Sequence, residues 1–190
     1  MDFFVLFFGA VLVNNVVLTQ FLGVCPFLGV SNDSKQAIGM GVAVIFVIVV
    51  SSMLTWGLNI YLLEAFNIQY MQVITIILMV ASLVQIVEVI IKRFSPALYK
   101  SMGVYLALIT TNCAVVGTAN NVISKDFNLG QTFVYSVGIS VGFLVAMYIF
   151  STIRQRINIA PISDGFKGNS IALIVAAVMA LSLYGLGGLV

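Results

Sequence analysis

The chain alternates long apolar runs with short polar connections from one end to the other. Six runs are long enough for a helix to cross a hydrocarbon core of about 30 Å, which takes roughly 20 residues. They cover about residues 3–24, 37–63, 70–91, 96–122, 128–150 and 168–189. Because an isolated segment in lipid must satisfy its own backbone hydrogen bonds, the pattern predicts an all-α integral membrane protein. We expect six transmembrane helices in a single membrane domain, 1–190.

Two of the six runs contain residues that disfavour a helix at membrane depth. The first run has Asn14, Asn15, Thr19, Gln20, Gly23 and Pro26, and the fourth has Thr110, Thr111, Asn112, Gly117, Asn120 and Asn121. Non-helical backbone at that depth persists only where protein buries it. We therefore predict that helices one and four are broken, and that the breaks lie at Cys25 and Cys113.

The two cysteine segments also resemble each other. Overlaid on their cysteines, they match Gly29 with Gly117 and Leu18 with Leu106. A unit of three spans crosses the membrane an odd number of times, so its copy enters from the opposite side. The sequence therefore predicts two inverted three-helix repeats, about 1–95 and about 96–190, related by an axis in the membrane plane.

Composition excludes a soluble domain. Hydrophobic residues make up 62% of the chain and charged residues 7%, with a mean hydropathy of +1.18, whereas soluble domains are about one quarter charged. The net charge is only +2, and we assign that excess to membrane orientation rather than to nucleic acid binding. Histidine is absent, which removes the commonest general base and metal ligand.

The basic residues predict the orientation in the membrane. Seven of the eight lie on the side of the connections after spans one, three and five: Lys35, Lys92, Arg93, Lys100, Arg154, Arg156 and Lys167. By the positive-inside rule these connections are cytoplasmic, so both termini are expected outside the cytoplasm. The location is a cell membrane, which is the inner membrane in a Gram-negative cell. The first span should stay in the mature protein, because Asp2 stands where a signal peptide has basic residues.

Each cysteine is predicted to lie at a helix start. Proline is favoured at the first position of a helix, so Pro26 would place Cys25 at the N-cap of a second half-helix. Asn112 and Cys113 could form the corresponding start in the second repeat. The positive end of a helix dipole favours thiolate, which is the form of cysteine that binds metal.

Several functions remain open for this cysteine pair. Two thiolates without histidine cannot complete a zinc site or a [2Fe–2S] cluster, which takes four ligands, so any cluster would be shared with another chain. Alternatively, the cysteines are inert buried thiols of a structural membrane protein, or they form a disulfide. A further alternative is an inverted-repeat secondary transporter with structural cysteines, its substrate path lined by Asn14, Asn15, Thr110 and Thr111.

Glu88 is the one acid well inside an apolar run, and intramembrane carboxylates are functional candidates by default. It lies one turn before Lys92, so an interfacial i, i+4 ion pair is the preferred explanation. Glu88 is kept as a candidate for the cluster surroundings or an ion path, together with Asn14, Asn15, Gly23, Pro26, Thr110, Thr111 and Asn112.

Two longer segments point to a known family. Residues 14–29 read Asn-Asn-Val-Val-Leu-Thr-Gln-Phe-Leu-Gly-Val-Cys-Pro-Phe-Leu-Gly, and residues 106–117 read Leu-Ala-Leu-Ile-Thr-Thr-Asn-Cys-Ala-Val-Val-Gly. Over its whole length the chain resembles the A subunits of bacterial Rnf electron-transport complexes. It is also similar to the E subunits of sodium-translocating NADH:quinone reductases, but Asn14, Asn15 and Pro26 favour the Rnf branch.

The resemblance implies a function. In that family the chain pairs with a homologous membrane protein of opposite topology, the E subunit of Rnf, and the two share one intramembrane [2Fe–2S] cluster. Cys25 and Cys113 would be the ligands from this chain, which is half of the set. With the B, C, D and G subunits, the complex passes electrons between ferredoxin and NAD and couples the transfer to Na⁺ or H⁺ transport. This chain would be an electron conduit in the lipid, without a complete active site of its own.

Overall fold

The computed structural model describes residues 3–13, 15–29, 34–63, 72–94, 108, 112–125, 127–159 and 168–185. Within these ranges the regular structure is entirely helical, so the predicted all-α class is confirmed for this part of the chain. The helices are α1 (Phe3–Phe8), α2 (Val24–Gly29), α3 (Ser34–Leu58), α4 (Gln72–Phe94), α5 (Cys113–Ser124), α6 (Leu129–Ile159) and α7 (Asn169–Tyr184). Helix α1 continues as a π-helical turn, Gly9–Val13, and α3 continues as another, Asn59–Leu63.

Among the residues that the structure describes, two stretches are long and apolar enough, by length and composition, to cross a membrane. They are Ala37–Tyr61, with a mean hydropathy of 2.6, and Leu129–Ile157, with a mean hydropathy of 2.0. Shorter apolar helical stretches are Val73–Ile86 and Ser170–Ser182. On α3 the apolar residues Ile38, Val42 and Phe46 are all exposed. Their spacing of four residues places them along one side of the helix, as expected for a surface that faces lipid.

Helices α3 and α6 form an antiparallel pair at the centre of the bundle. Gly41 of α3 lies against the Leu144 side chain of α6. Near the other end of α3, Trp56 Nε1 donates a hydrogen bond to the Phe127 carbonyl at 2.7 Å, just before α6 begins. Both helices carry buried small residues of the kind that allow close helix packing: Ser51, Ser52, Ser136, Ser140 and Ser151.

Helix α1 runs parallel to the first half of α6. A Cβ atom at Gly138 would lie 2.8 Å from Ala10 Cβ, and one at Gly142 would lie 2.8 Å from the Val11 carbonyl oxygen. Glycine is therefore required at both positions for this close approach. Because Gly130 lies beside Phe3, the start of α1 and the start of α6 are at the same end of the bundle.

The remaining helices pack around this centre. Helix α5 packs against α3 and α4, whereas α7 contacts α2, α6 and the π-helical turn that follows α1. Thr55 Oγ1 of α3 lies 3.6 Å from Met79 Sδ of α4.

Helix α6 extends past the predicted end of its span at residue 150, as far as Ile159. The reason lies in tertiary structure. Arg154 is only 6% exposed, and its guanidinium donates a hydrogen bond of 2.7 Å to the Leu28 carbonyl at the end of α2. A partner inside the protein thus lets this charged residue remain in the packed part of the helix.

Candidate functional site

Residues 15–23, which precede α2, are not helical. Asn15 satisfies much of their backbone. The Asn15 side chain is 5% exposed. Its Oδ1 accepts a hydrogen bond from the Val17 N–H at 3.2 Å, and its Nδ2 donates to the Gly142 carbonyl at 3.0 Å. The Asn15 carbonyl accepts from both the N–H and the hydroxyl of Thr19. These bonds allow irregular backbone to be buried, as an interruption at membrane depth requires.

The interruption ends at Gly23, which has a φ of +85°. The Gly23 carbonyl accepts a hydrogen bond from the Phe27 N–H at 3.4 Å, so α2 begins at Val24. Cys25 then lies in the first turn and Pro26 is the third helical residue. The prediction that Cys25 is the N-cap was therefore wrong by two positions, because the left-handed Gly23 starts the helix earlier. Pro26 remains in the first turn, where a missing N–H costs no helical hydrogen bond.

The second cysteine lies at the start of a longer helix. Asn112 caps α5, since its Oδ1 accepts a hydrogen bond from the Ala114 N–H at 3.0 Å. Cys113 is the first helical residue, in agreement with the predicted helix start at these two residues. The Cys113 sulfur is thus near the positive end of the α5 dipole.

The two cysteine segments are in direct contact. The Gly23 N–H donates a hydrogen bond to Cys113 Sγ at 2.8 Å. A Cβ atom at Gly23 would lie 2.9 Å from Phe143 Cε2 and 3.1 Å from Ala114 Cβ. Gly117, one turn after Cys113, lies against Leu22 in the same way. A backbone N–H directed at a sulfur is a contact suited to a negatively charged thiolate.

This contact lies near the middle of the bundle. Phe143, which touches Gly23, is the central residue of the apolar stretch Leu129–Ile157. At 1.5 Å per residue it is about 21 Å from either end of that stretch. The cysteine segments therefore meet about halfway along the longer of the two described apolar stretches.

Both sulfurs are free thiols, so the structure contains no disulfide between Cys25 and Cys113 and that alternative is wrong. Cys25 is exposed and Cys113 is half-buried. Cys113 lines an open groove of about 500 Å³, together with Leu22, Val73, Ile77, Val80, Ala81, Val116, Gly117 and Asn120. Atoms of another molecule could reach either sulfur.

The donor set fits half of an iron–sulfur site. Two thiols are soft ligands of the kind that hold [2Fe–2S] clusters. Beside them, Asn112 is 1% exposed, and its Nδ2 has no hydrogen-bond partner among the described residues. Within the same part of the chain, no group of three or more His, Cys, Asp or Glu residues is placed to hold a metal ion.

The other predicted site residues have different outcomes. Asn14, Thr110 and Thr111 lie outside the described residues. Glu88 belongs to α4, but its side chain also lies outside the described part, so its pairing with Lys92 stays a prediction.

Sequence reasoning missed the contribution of α6. Arg154 was interpreted only as a marker of orientation, yet it donates to the end of α2. The available signal was spacing, because Phe143, Met147, Phe150 and Arg154 follow at intervals of three and four residues and are all buried. The ring of Phe27 also stacks on that of Phe150, with centroids 4.2 Å apart.

Comparison with known proteins places the chain in a family. Residues 3–190 match the family described as "Rnf-Nqr subunit, membrane protein". A protein of Syntrophotalea carbinolica is 48% identical over 96% of this chain and 94% of its own length. Proteins of Proteus mirabilis and Photorhabdus laumondii are 44% and 43% identical, each over 100% of this chain and 98% of their own lengths. All three are named as the A subunit of an ion-translocating oxidoreductase complex. This chain therefore belongs to the Rnf-Nqr family of membrane-protein subunits.

Proposed function

We propose that this chain carries electrons through the membrane as the A subunit of an ion-translocating oxidoreductase complex. In this proposal Cys25 and Cys113 supply two of the four thiolate ligands of an intramembrane [2Fe–2S] cluster. The observation that carries it is the hydrogen bond from the Gly23 N–H to Cys113 Sγ. That bond joins two cysteine segments, both with free thiols, halfway along the central helices. The names of the relatives support membership of such a complex.

The surroundings of the two sulfurs suit this role. When bound, the cluster would supply one-electron redox chemistry. The start of α5 and the Gly23 N–H both favour negative charge at the Cys113 sulfur. Phe143 and Ala114 pack beside Gly23 and keep water from that side.

The remaining two thiolates would come from a homologous membrane protein of opposite topology, the E subunit of Rnf. Its sulfurs could reach the exposed Cys25 and the groove beside Cys113. The B, C, D and G subunits would complete a ferredoxin:NAD oxidoreductase whose electron transfer is coupled to Na⁺ or H⁺ transport.

Helix packing supports the proposed inverted repeats, 1–95 and 96–190. Helix α2 is tied to α6 by the stack of Phe27 on Phe150 as α5 packs on α3, and α2 contacts α7 as α5 contacts α4. The central pair, α3 and α6, is antiparallel, as an inverted copy requires. Helix α2 begins one residue before Cys25 and α5 begins at Cys113. We infer six spans, with the first and fourth interrupted near their cysteines.

The transporter alternative loses support at Asn15. Of the four residues predicted to line a substrate path, it is the one that the structure describes. Its carboxamide is occupied by the Val17 N–H and the Gly142 carbonyl, so it stabilises the interruption.

Substitution of the cysteines tests the proposal in the intact complex. Cys25→Ser and Cys113→Ser should each remove about two iron atoms per complex and the electron paramagnetic resonance (EPR) signal of one [2Fe–2S] cluster. Electron transfer through the membrane should stop, while the soluble subunits still accept electrons. Val116→Ser is the matched control, because it introduces the same hydroxyl into the groove without removing a thiol. If the double serine variant assembles with full iron content and normal turnover, the proposal is wrong.

A further inference from the structure

Asn112 has a donor that its capping role does not use. Its Oδ1 is bonded to the Ala114 N–H, which fixes the orientation of the carboxamide. The Nδ2 group must therefore point away from the first turn of α5. It is buried and has no partner in the described part of the chain. A buried donor without a partner is costly to stability and needs an explanation.

The position of Asn112 supplies that explanation. It directly precedes Cys113, and its Oδ1 lies 3.3 Å from where a Gly23 Cβ atom would be. The nitrogen of the same carboxamide is therefore close to the junction between the two cysteine segments. Helix capping needs only the oxygen, so the nitrogen is available to a group that enters this junction.

We propose that Asn112 Nδ2 donates a hydrogen bond to a sulfur of the cluster held by Cys25 and Cys113, and thereby raises its reduction potential. This inference rests on the proposed function. Reduction adds one electron and breaks no covalent bond, and Asn112 keeps its protons throughout. A donor interacts more strongly with sulfur when the negative charge is larger, so it stabilises the reduced form more than the oxidised form. Hydrogen bonds to the sulfurs are among the factors that set cluster potentials.

The first test is an EPR-monitored redox titration of the purified complex carrying Asn112→Ser. Serine still caps a helix, but its hydroxyl is shorter than the carboxamide and has no N–H group. The ratio of reduced to oxidised cluster at a fixed potential should fall about tenfold, which is a shift of about −59 mV for one electron. Asn128→Ser is the matched control, because Asn128 is exposed beyond the far end of α5. In this variant the reduction potential of the cluster should stay at the wild-type value.

The second test does not depend on the variant folding. Wild-type complex is prepared with asparagine labelled with ¹⁵N in the side-chain amide, and pulsed EPR is recorded on the reduced cluster. A ¹⁵N coupling together with an exchangeable deuteron supports the proposal, and Asn112→Ser should lose both. A cluster with no such coupling, or a wild-type potential in Asn112→Ser, overturns this inference alone. A wild-type complex without the cluster would instead overturn the proposed function.

Discussion

At Gly23, the absence of a side chain allows two segments that are distant in sequence to touch. The residue has a φ of +85°, which favours glycine, and its N–H reaches Cys113 Sγ. Phe143 and Ala114 occupy the space that a larger residue would need. Conformation, packing and the sulfur contact therefore all depend on the same position.

Gly23→Ala should damage the site while leaving most of the fold intact. The left-handed backbone and the 2.9 Å approach of the new Cβ atom to Phe143 Cε2 should lower stability by about 1–3 kcal/mol. Relaxation would move the N–H away from Cys113, so cluster content should fall by more than half. Thermal unfolding and EPR spin quantification of the complex measure the two effects.

The matched control is Gly39→Ala on α3, where a Cβ atom would meet nothing within 4 Å. It should keep both stability and cluster content. Wild-type values for Gly23→Ala would show that this position is not restricted as described.

Asn112 and Gly23 could be singled out from the sequence because polar and flexible residues are unusual at membrane depth. The contact between Gly23 and Cys113 could not be predicted, because the two residues are 90 positions apart in the sequence. They meet only through the packing of helices in the folded chain. The register of Cys25 was missed for a local reason. The left-handed conformation of Gly23 is not specified by the sequence around it.

Helix α2 depends on its neighbours for stability. It has six residues, and isolated helices shorter than about 12 residues are marginal even in favourable sequences. The stack of Phe27 on Phe150 and the hydrogen bond from Arg154 to the Leu28 carbonyl tie it to α6. Arg154 also places positive charge at the helix C-terminus, where it is favourable. Cys25 is held in place through these contacts.

Arg154→Gln should loosen α2. Loss of a hydrogen bond from a charged donor to a buried carbonyl should cost about 2 kcal/mol, and the thermal midpoint of the complex should fall. Cluster content should fall with it, because Cys25 lies in the first turn of α2. Arg156→Gln removes the same charge from an exposed position of α6 and should change stability by less than about 0.5 kcal/mol. Equal effects of the two variants would contradict the anchoring role of Arg154.

The extent to which helices could be predicted also differs along the chain. The apolar runs predicted the bounds of α3 and α4 to within a few residues, because hydropathy identifies the segments that enter lipid. The interruption after α1 was predicted from its asparagines. The end of α6 was not, since an arginine at the end of an apolar run indicates a membrane boundary unless a partner such as the Leu28 carbonyl is known.

In the molecule as a whole, helix packing shows which helix ends lie at the same end of the bundle. Phe3 lies beside Gly130, whereas Arg154 lies at the end of α2. The end that carries Phe3 and Gly130 also carries Lys125, which lies 5.2 Å from the centroid of the Tyr135 ring. The opposite end carries Arg154 and Arg156. The proposed orientation puts that arginine end in the cytoplasm.

Labelling from each side of the membrane tests this orientation. Asn128→Cys and Arg156→Cys introduce thiols at exposed positions near opposite ends of α6. In intact cells a membrane-impermeant maleimide should label Asn128→Cys, and it should label Arg156→Cys only after permeabilisation. The chain without an introduced cysteine is the control for labelling of Cys25 and Cys113. The reverse pattern would invert the topology.

The crossed packing of the two halves has a consequence for biosynthesis. Helices α1 and α2 rest on α6 and α7, while α5 rests on α3 and α4. The first half therefore leaves the ribosome before the helices that hold it have been made. The junction of Gly23 with Cys113 can form only after α6 has been inserted, and α2 gains its anchor only when Arg154 arrives. Formation of this junction is thus a late event, and an arrested or truncated nascent chain carries Cys25 without the surroundings that the proposed cluster would need.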